Sequence, residues 1–161
     1  VYADLPTMRA RINAAVDALK AQAGKVPLQS GKVGALGFCF GGSTVLELAR
    51  SGTELAGVVS LHGGLDTPAP AAADSVKTSI LVLNGAEDRG TTAENIAAFD
   101  AEMDTAGADW TFVNFSGAVH CFAEADANRP PGCVYNERAA KAAWRMMRGF
   151  FIEAFAAPAK G

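Results

Sequence analysis

The sequence lacks the patterns that mark membrane-spanning and nucleic-acid-binding proteins. None of its hydrophobic runs approaches the ~20 residues that a transmembrane helix needs. Lysine and arginine form no basic stripe and the net charge is −3, so we expect no nucleic acid as a partner and no membrane association. Half of the 161 residues are hydrophobic and 19% are charged, which predicts one globular domain over residues 1–161.

Cysteine and histidine are both scarce, and their spacing argues against a disulfide framework or a zinc site. The chain has three cysteines, Cys39, Cys121 and Cys133, and two histidines, His62 and His120. An odd number of cysteines at irregular spacing indicates free thiols in a reducing compartment, which predicts a cytoplasmic location. The chain has no CxxC pair, and its histidines do not stand at the spacings of zinc ligands, so we expect no metal.

Helical and strand patterns alternate along the chain. The predicted elements in chain order are helix 5–23, strand 32–39, helix 41–52, strand 55–63, strand 78–88, helix 91–107, strand 109–117 and helix 137–156. This alternation predicts an α/β fold in which helices cover a parallel sheet in three layers. In such sheets, catalytic residues gather in the loops that leave the carboxyl ends of the strands.

A cysteine flanked by glycines follows the first predicted strand. The segment LGFCFGGS, residues 36–43, places Cys39 between Gly37 and Gly41, which is the pattern of a nucleophile elbow. The nucleophile of an elbow is strained, and Cβ atoms two residues to either side would collide, which accounts for both glycines. We expect the following helix to stabilise the Cys39 thiolate and the N–H of Phe40 to hold an oxyanion. The alternative is a buried structural cysteine beside helix-packing glycines.

A cysteine nucleophile needs a base and an acid that orients the base. In this fold class the chain order is nucleophile, acid, histidine, so His120 is the predicted base, with a surface loop histidine as the alternative. Asp88, at the end of the third predicted strand, is the predicted acid. Two alternatives stay open: Glu87 beside it is the acid, or both carboxylates are only a solvated loop pair. His62 precedes any good acid candidate, and we interpret it as structural or pocket-lining.

The chain resembles the dienelactone hydrolase family of α/β-hydrolases over nearly its whole length. The segments that carry the resemblance are GALGFCFGGSTVLELARSG, GVVSLHGGL, LNGAEDRGTTAENIAAFDAEM, GADWTFVNFSGAVHCFAEADA and PGCVYNERAAKAAWRMMRGFF. The resemblance implies that Cys39, Asp88 and His120 form a triad that hydrolyses a small-molecule ester or enol-lactone. The reaction implied runs through a thioester acyl-enzyme, without metal or cofactor.

Two features depart from the family pattern. The family has several strands before its first helix, and without them strand 32–39 would be a bare sheet edge. We therefore expect that the N-terminal part of the fold is missing and that a second copy or a partner segment covers this edge. The best-studied dienelactone hydrolases also place an arginine four residues after the catalytic histidine, where this chain has Glu124, which would repel an anionic substrate. Arg89 or Arg129 could compensate, and Arg89, Phe122 and Glu124 are the candidate substrate contacts.

The leading functional hypothesis is therefore a cysteine-dependent carboxylic ester or lactone hydrolase. An alternative within enzymes is a general esterase or thioesterase with the same triad. An alternative outside enzymes is a binding or assembly half-domain that keeps the elbow without its activity.

Overall fold

The computed structural model describes residues 4–29 and 31–157, which form helices, a parallel sheet and a short hairpin. The helices are α1 (Leu5–Lys20), α2 (Phe40–Arg50), α3 (Ala93–Thr105) and α4 (Glu137–Ala156). The strands are β1 (Gly34–Phe38), β2 (Gly57–Leu61), β3 (Ile80–Gly85), β4 (Trp110–Phe115), β5 (Asn128–Arg129) and β6 (Cys133–Val134). Within these residues, no helix has the length and hydrophobicity needed to cross a membrane.

The four main strands lie in chain order, β1-β2-β3-β4, and every pairing between them is parallel. The register places Phe38 opposite Leu61, and Leu61 opposite Leu83. Leu83 in turn lies opposite Val113 of β4. Because all four strands run in the same direction, the residues that follow them meet at one edge of the sheet. The predicted parallel α/β sheet is confirmed, with strands shorter than the sequence pattern indicated.

Helices cover both faces of the sheet. In β2, Val58 packs into a core cluster that includes side chains of α1, α2 and α3. Its neighbour Val59 points to the opposite face and packs with Met147 of α4. In β3, Val82 and Leu81 divide between the same two clusters. The prediction of three layers is therefore confirmed. Because helices cover both faces of the sheet, side chains on both sides of β2 and β3 are buried, which explains why apolar residues follow one another directly in these strands.

A buried ion cluster fixes the connection between β2 and β3. Arg50 lies 2.8 Å from Glu102 and 2.9 Å from Glu47, and it donates to the carbonyl of Leu65 at 2.7 Å. Glu102 also accepts the N–H of Ala71 at 2.8 Å. Removing one partner of such a cluster would leave an uncompensated buried charge, at a cost of about 3–5 kcal/mol. The connection is therefore held against α2 and α3.

The strand β1 forms one edge of the sheet. Leu36 of this strand is 44% exposed and Phe40, just beyond it, is 53% exposed. A groove of about 560 Å³ lies beside Phe40, lined by residues of α1 and by Thr44 of α2. Backbone groups and apolar side chains are thus both accessible at this edge.

Candidate active site

Cys39 occupies the sharp turn between β1 and α2. Its backbone has φ 50° and ψ −118°, in a region that residues other than glycine rarely adopt. The turn is fixed on both sides, because the N–H of Cys39 donates to the carbonyl of Leu61 at 3.0 Å and its own carbonyl accepts the N–H of Ser43 at 3.1 Å. The thiol is exposed at the carboxyl edge of the sheet.

Close backbone contacts explain two of the glycines around this turn. A Cβ on Gly37 would lie 2.1 Å from the carbonyl carbon of Gly41, so the predicted steric need for glycine is confirmed there. At Gly41 the same prediction is wrong, because a Cβ added there would meet no described atom within 4 Å. The second close approach is at Gly42, where a Cβ would lie 2.7 Å from Oγ of Ser60 and 2.9 Å from Cα of Gly63.

The loops after β3 and β4 bring an acid and an imidazole to the thiol. Nε2 of His120 lies 3.1 Å from Sγ of Cys39, and Nδ1 of the same ring lies 2.6 Å from Oδ2 of Asp88. The other oxygen of Asp88 accepts the N–H of Gly90 at 2.9 Å. The structure thus brings together the three residues selected from the sequence, while Glu87, the alternative acid, is exposed.

The charges of this group favour a protonated imidazole. The hydrogen bond to Asp88 raises the pKa of His120 to about 9, with Cys39 adding to the rise and burial opposing it. Burial acts to raise the pKa of Asp88, but hydrogen bonds from His120 and from the N–H of Gly90 bring it below its usual value. An imidazolium held between a carboxylate and a sulfur can stabilise negative charge on that sulfur.

A second histidine lies against the first. His62 follows β2, its side chain is 0% exposed, and its ring centroid lies 4.9 Å from that of His120. Burial, and next the neighbouring His120, lower the pKa of His62 to about 4. The sequence indicated only a structural or pocket-lining role for it. Its position at the end of a strand that neighbours β1 was the signal that could have placed it beside the triad.

The three candidate substrate contacts differ in how far they are exposed. Phe122 is 0% exposed and packs on His62 and Phe115, and its contact with substrate stays a prediction. Glu124 is 37% exposed and its Oε1 lies 3.5 Å from Nε2 of His62. Arg89 is exposed in the loop that carries Asp88. Across residues 4–29 and 31–157, no three His, Cys, Asp or Glu side chains are grouped as a metal site requires.

Cys121 and Cys133 form a disulfide, with Cα atoms 4.9 Å apart. The prediction of free thiols at these two positions is therefore wrong. The residues between them fold back so that β6 runs beside the turn of His120, where the N–H of Val134 donates to the His120 carbonyl at 3.1 Å. The prediction of a cytoplasmic location rested on free thiols and loses that support, and it stays a prediction.

The family follows from a comparison over nearly the whole chain. Residues 4–155 match the model of the dienelactone hydrolase family. The chain belongs to the dienelactone hydrolase family. The match extends from α1 to α4 and includes both loops of the candidate triad.

Individual relatives of this dienelactone hydrolase family member differ in length. An uncharacterized protein of Caenorhabditis elegans is 33% identical over 155 residues, which are 92% of this chain and 95% of the relative. A dienelactone hydrolase-like promiscuous phosphotriesterase from metagenomic libraries is 37% identical, with a TM-score of 0.87 over 95% of this chain. The protein m3DLH is 36% identical, with a TM-score of 0.88 over 96% of this chain. The chain spans 64% of the length of each of these two structures.

Proposed function

We propose that this member of the dienelactone hydrolase family cleaves a carboxylic ester or enol-lactone through Cys39, His120 and Asp88. The observation that carries the proposal is the continuous chain of contacts from thiol to imidazole to carboxylate, 3.1 Å and 2.6 Å long. Membership of a hydrolase family supports the reaction class. The exposed thiol on a strained turn supports the choice of nucleophile.

In the first half of the proposed reaction, His120 accepts the thiol proton and the sulfur of Cys39 attacks the carbonyl carbon of the ester. The carbonyl π electrons move to oxygen, and the N–H of Phe40 holds this oxyanion. Phe40 is the first residue of α2, where backbone N–H groups have no acceptor within the helix. When the carbonyl re-forms, the C–O bond breaks and His120 gives its proton to the departing alcohol oxygen, which leaves a thioester on Cys39.

In the second half, His120 removes a proton from water, and the resulting hydroxide attacks the thioester carbonyl. The tetrahedral intermediate again places its charge on the oxygen beside Phe40. The carbon–sulfur bond then breaks, the carboxylic acid leaves, and the proton on His120 stays beside the Cys39 thiolate. Asp88 remains ionised throughout and stabilises the imidazolium that forms in each half.

The experiment is hydrolysis of p-nitrophenyl acetate by the wild type and by Cys39→Ala and Cys39→Ser variants. We expect Cys39→Ala to lower kcat/KM by at least about 10³-fold, because it removes the nucleophile. Cys39→Ser keeps the shape of the side chain and serves to separate loss of the sulfur from loss of packing. Wild-type turnover no faster than that of Cys39→Ala contradicts the proposal. A comparison of oxygen esters with acyl thioesters distinguishes an esterase from a thioesterase.

We also propose that the edge of β1 is covered by β1 of a second copy of this chain. The edge strand carries Leu36, which is 44% exposed, so an apolar side chain at this edge is available to a second copy. Two copies related by a two-fold axis can pair their edge strands, which satisfies the free backbone groups of both. The exposed edge is also the observation that favours the alternative function, an assembly module without activity.

A further inference from the structure

The proposed reaction leaves one buried ionisable group beside the triad without a role. His62 lies at the carboxyl end of β2, and its N–H donates to the carbonyl of Leu83 at 2.8 Å, so its backbone is part of the rigid sheet. Its ring packs among those of Phe38, Phe122 and His120, with centroids 5.9, 5.6 and 4.9 Å away. The ring thus lies between the sheet and the catalytic imidazole.

Packing alone does not account for a histidine at this position. Neither ring nitrogen of His62 has a hydrogen-bond partner among the described residues, although both are buried. Each buried polar atom without a partner costs about 1–3 kcal/mol. A phenylalanine would fill a similar space without that cost. The presence of an imidazole at this position therefore indicates that one of its nitrogens takes part in an interaction.

One ring nitrogen of His62 faces the carboxylate of Glu124, which identifies the interaction. Nε2 of His62 lies 3.5 Å from Oε1 of Glu124, slightly beyond hydrogen-bond distance. Glu124 belongs to the same turn as His120, because its N–H donates to the carbonyl of Cys121 at 3.0 Å. A small rotation of the half-exposed Glu124 side chain closes the gap and satisfies the buried nitrogen.

We propose that His62 is a positioning residue, a neutral imidazole whose Nε2–H binds Glu124 and whose ring edge supports His120. Through this pair, the end of β2 holds the turn 120–124 and fixes the plane in which His120 meets Cys39. The proposal rests on the Cys39–His120 chemistry proposed above. It also assigns the tautomer, since an N–H on Nε2 leaves Nδ1 as the acceptor.

Edge-to-face packing suits this role. The rings of His62 and His120 meet at 64°, and their separation of 4.9 Å lies within the range preferred by aromatic pairs. A neutral His62 can support the ring of His120 when that ring is protonated, whereas a second cation at this distance would repel it. Burial keeps His62 neutral, because its pKa falls to about 4.

Imidazole ¹⁵N NMR of the full chain tests the assignment directly. The chain has two histidines, so the spectrum contains two rings, and His62→Phe assigns both. We expect His62 to stay neutral between about pH 5 and 8 with its proton on Nε2. We expect Glu124→Ala to change the nitrogen shifts of His62. A proton on Nδ1, or shifts of His62 that Glu124→Ala leaves unchanged, would overturn the proposal.

Kinetics of p-nitrophenyl acetate hydrolysis test the consequence. We expect His62→Phe and Glu124→Ala each to lower kcat about tenfold with KM changed less than about twofold, since binding is intact but the imidazole is misplaced. The double variant should be no slower than either single variant, because both remove one contact. Glu124→Gln keeps an acceptor oxygen and should retain most of the rate. Asp126→Ala, an exposed carboxylate of the same segment, is the matched control and should leave kcat unchanged.

The outcomes separate this proposal from the proposed function. The positioning role is contradicted if kcat is unchanged in both single variants or if the losses add in the double variant. In either case the triad still stands if Cys39→Ala is inactive. Activity retained by Cys39→Ala contradicts the triad itself. If His62→Phe does not fold, Glu124→Ala, which alters a half-exposed side chain, carries the kinetic test alone.

Discussion

Nδ1 of His120 lies 2.6 Å from Oδ2 of Asp88, although the two residues stand 32 positions apart in the chain. The parallel pairing of β3 and β4 brings the loops after these strands to one edge of the sheet. The N–H of Asp88 donates to the carbonyl of Gly85 at 3.0 Å, which bends the loop back over the end of β3. The carboxylate, 5% exposed at its side chain, therefore faces the imidazole and not solvent.

Asp88→Asn should slow ester hydrolysis and should also reduce the change of unfolding free energy with pH. Removing the carboxylate charge lets the pKa of His120 fall from about 9 toward its ordinary value of 6.5. We expect ester hydrolysis to slow by about 10²-fold, because the base is no longer oriented or its cation stabilised. In the wild type, protonated His120 adds to the free energy of unfolding. This contribution is complete below pH 6.5 and is lost as the pH rises through about 9. Urea denaturation across this window measures the loss, which Asp88→Asn should reduce.

The control for this prediction is Glu87→Gln, which removes the same charge from the exposed neighbour of Asp88. We expect it to leave the hydrolysis rate and the pH profile of stability unchanged. An equal loss of rate in the two variants would show that general loop charge, and not the contact with His120, supports the reaction.

Gly37→Ala and Gly41→Ala should differ sharply in stability. A Cβ at Gly37 would lie 2.1 Å from backbone that cannot move away without displacing the elbow, so we expect a loss of at least about 3 kcal/mol in unfolding free energy. A Cβ at Gly41 meets open space on a helix, so the unfolding free energy should stay within about 1 kcal/mol of the wild type. Urea denaturation compares the two. A similar loss in both variants contradicts the steric explanation.

The disulfide between Cys121 and Cys133 should stabilise the fold and the turn of His120. Replacing both cysteines by serine opens a loop with a sequence separation of 12, which we expect to cost about 3 kcal/mol of unfolding free energy on the chain-entropy model. Hydrolysis should also slow, because Cys121 directly follows His120. Thiol titration of denatured protein purified without reductant should give one thiol per chain, Cys39. Three thiols in that titration would show that the disulfide is absent.

The edge of β1 should support self-association. We expect light scattering to detect a dimer, and we expect Leu36→Lys to convert it to monomer, because a charge on an edge strand opposes strand pairing. Leu19→Lys is the matched control, since Leu19 is also 44% exposed but lies on helix α1 and not on the edge strand. A wild-type monomer contradicts pairing between copies and favours a partner segment at the same edge. Equal effects of the two substitutions would assign any dimer to another surface.

Much of the fold and most of the site could be predicted from local sequence patterns. The helices and parallel strands followed from hydrophobic spacing, because each pattern is a property of one segment. The elbow at Cys39 was recognisable because its geometry leaves a short local pattern. The positive φ and the close approach of the backbone limit which residue types can stand at neighbouring positions. The choice of Asp88 and His120 followed from chain order, because parallel strands deliver the ends of successive segments to one edge.

Contacts between distant segments were decided only by the tertiary structure. The pairing of Cys121 with Cys133 depends on how the residues between them fold back beside His120, which spacing does not encode. The close approach at Gly42 likewise comes from the loop after β2 packing on α2. The sequence by itself thus determined the candidate nucleophile and its candidate partners, since local geometry selects the first and strand order selects the others. The three-dimensional packing decided which residues support them, since support depends on side chains that meet across the fold.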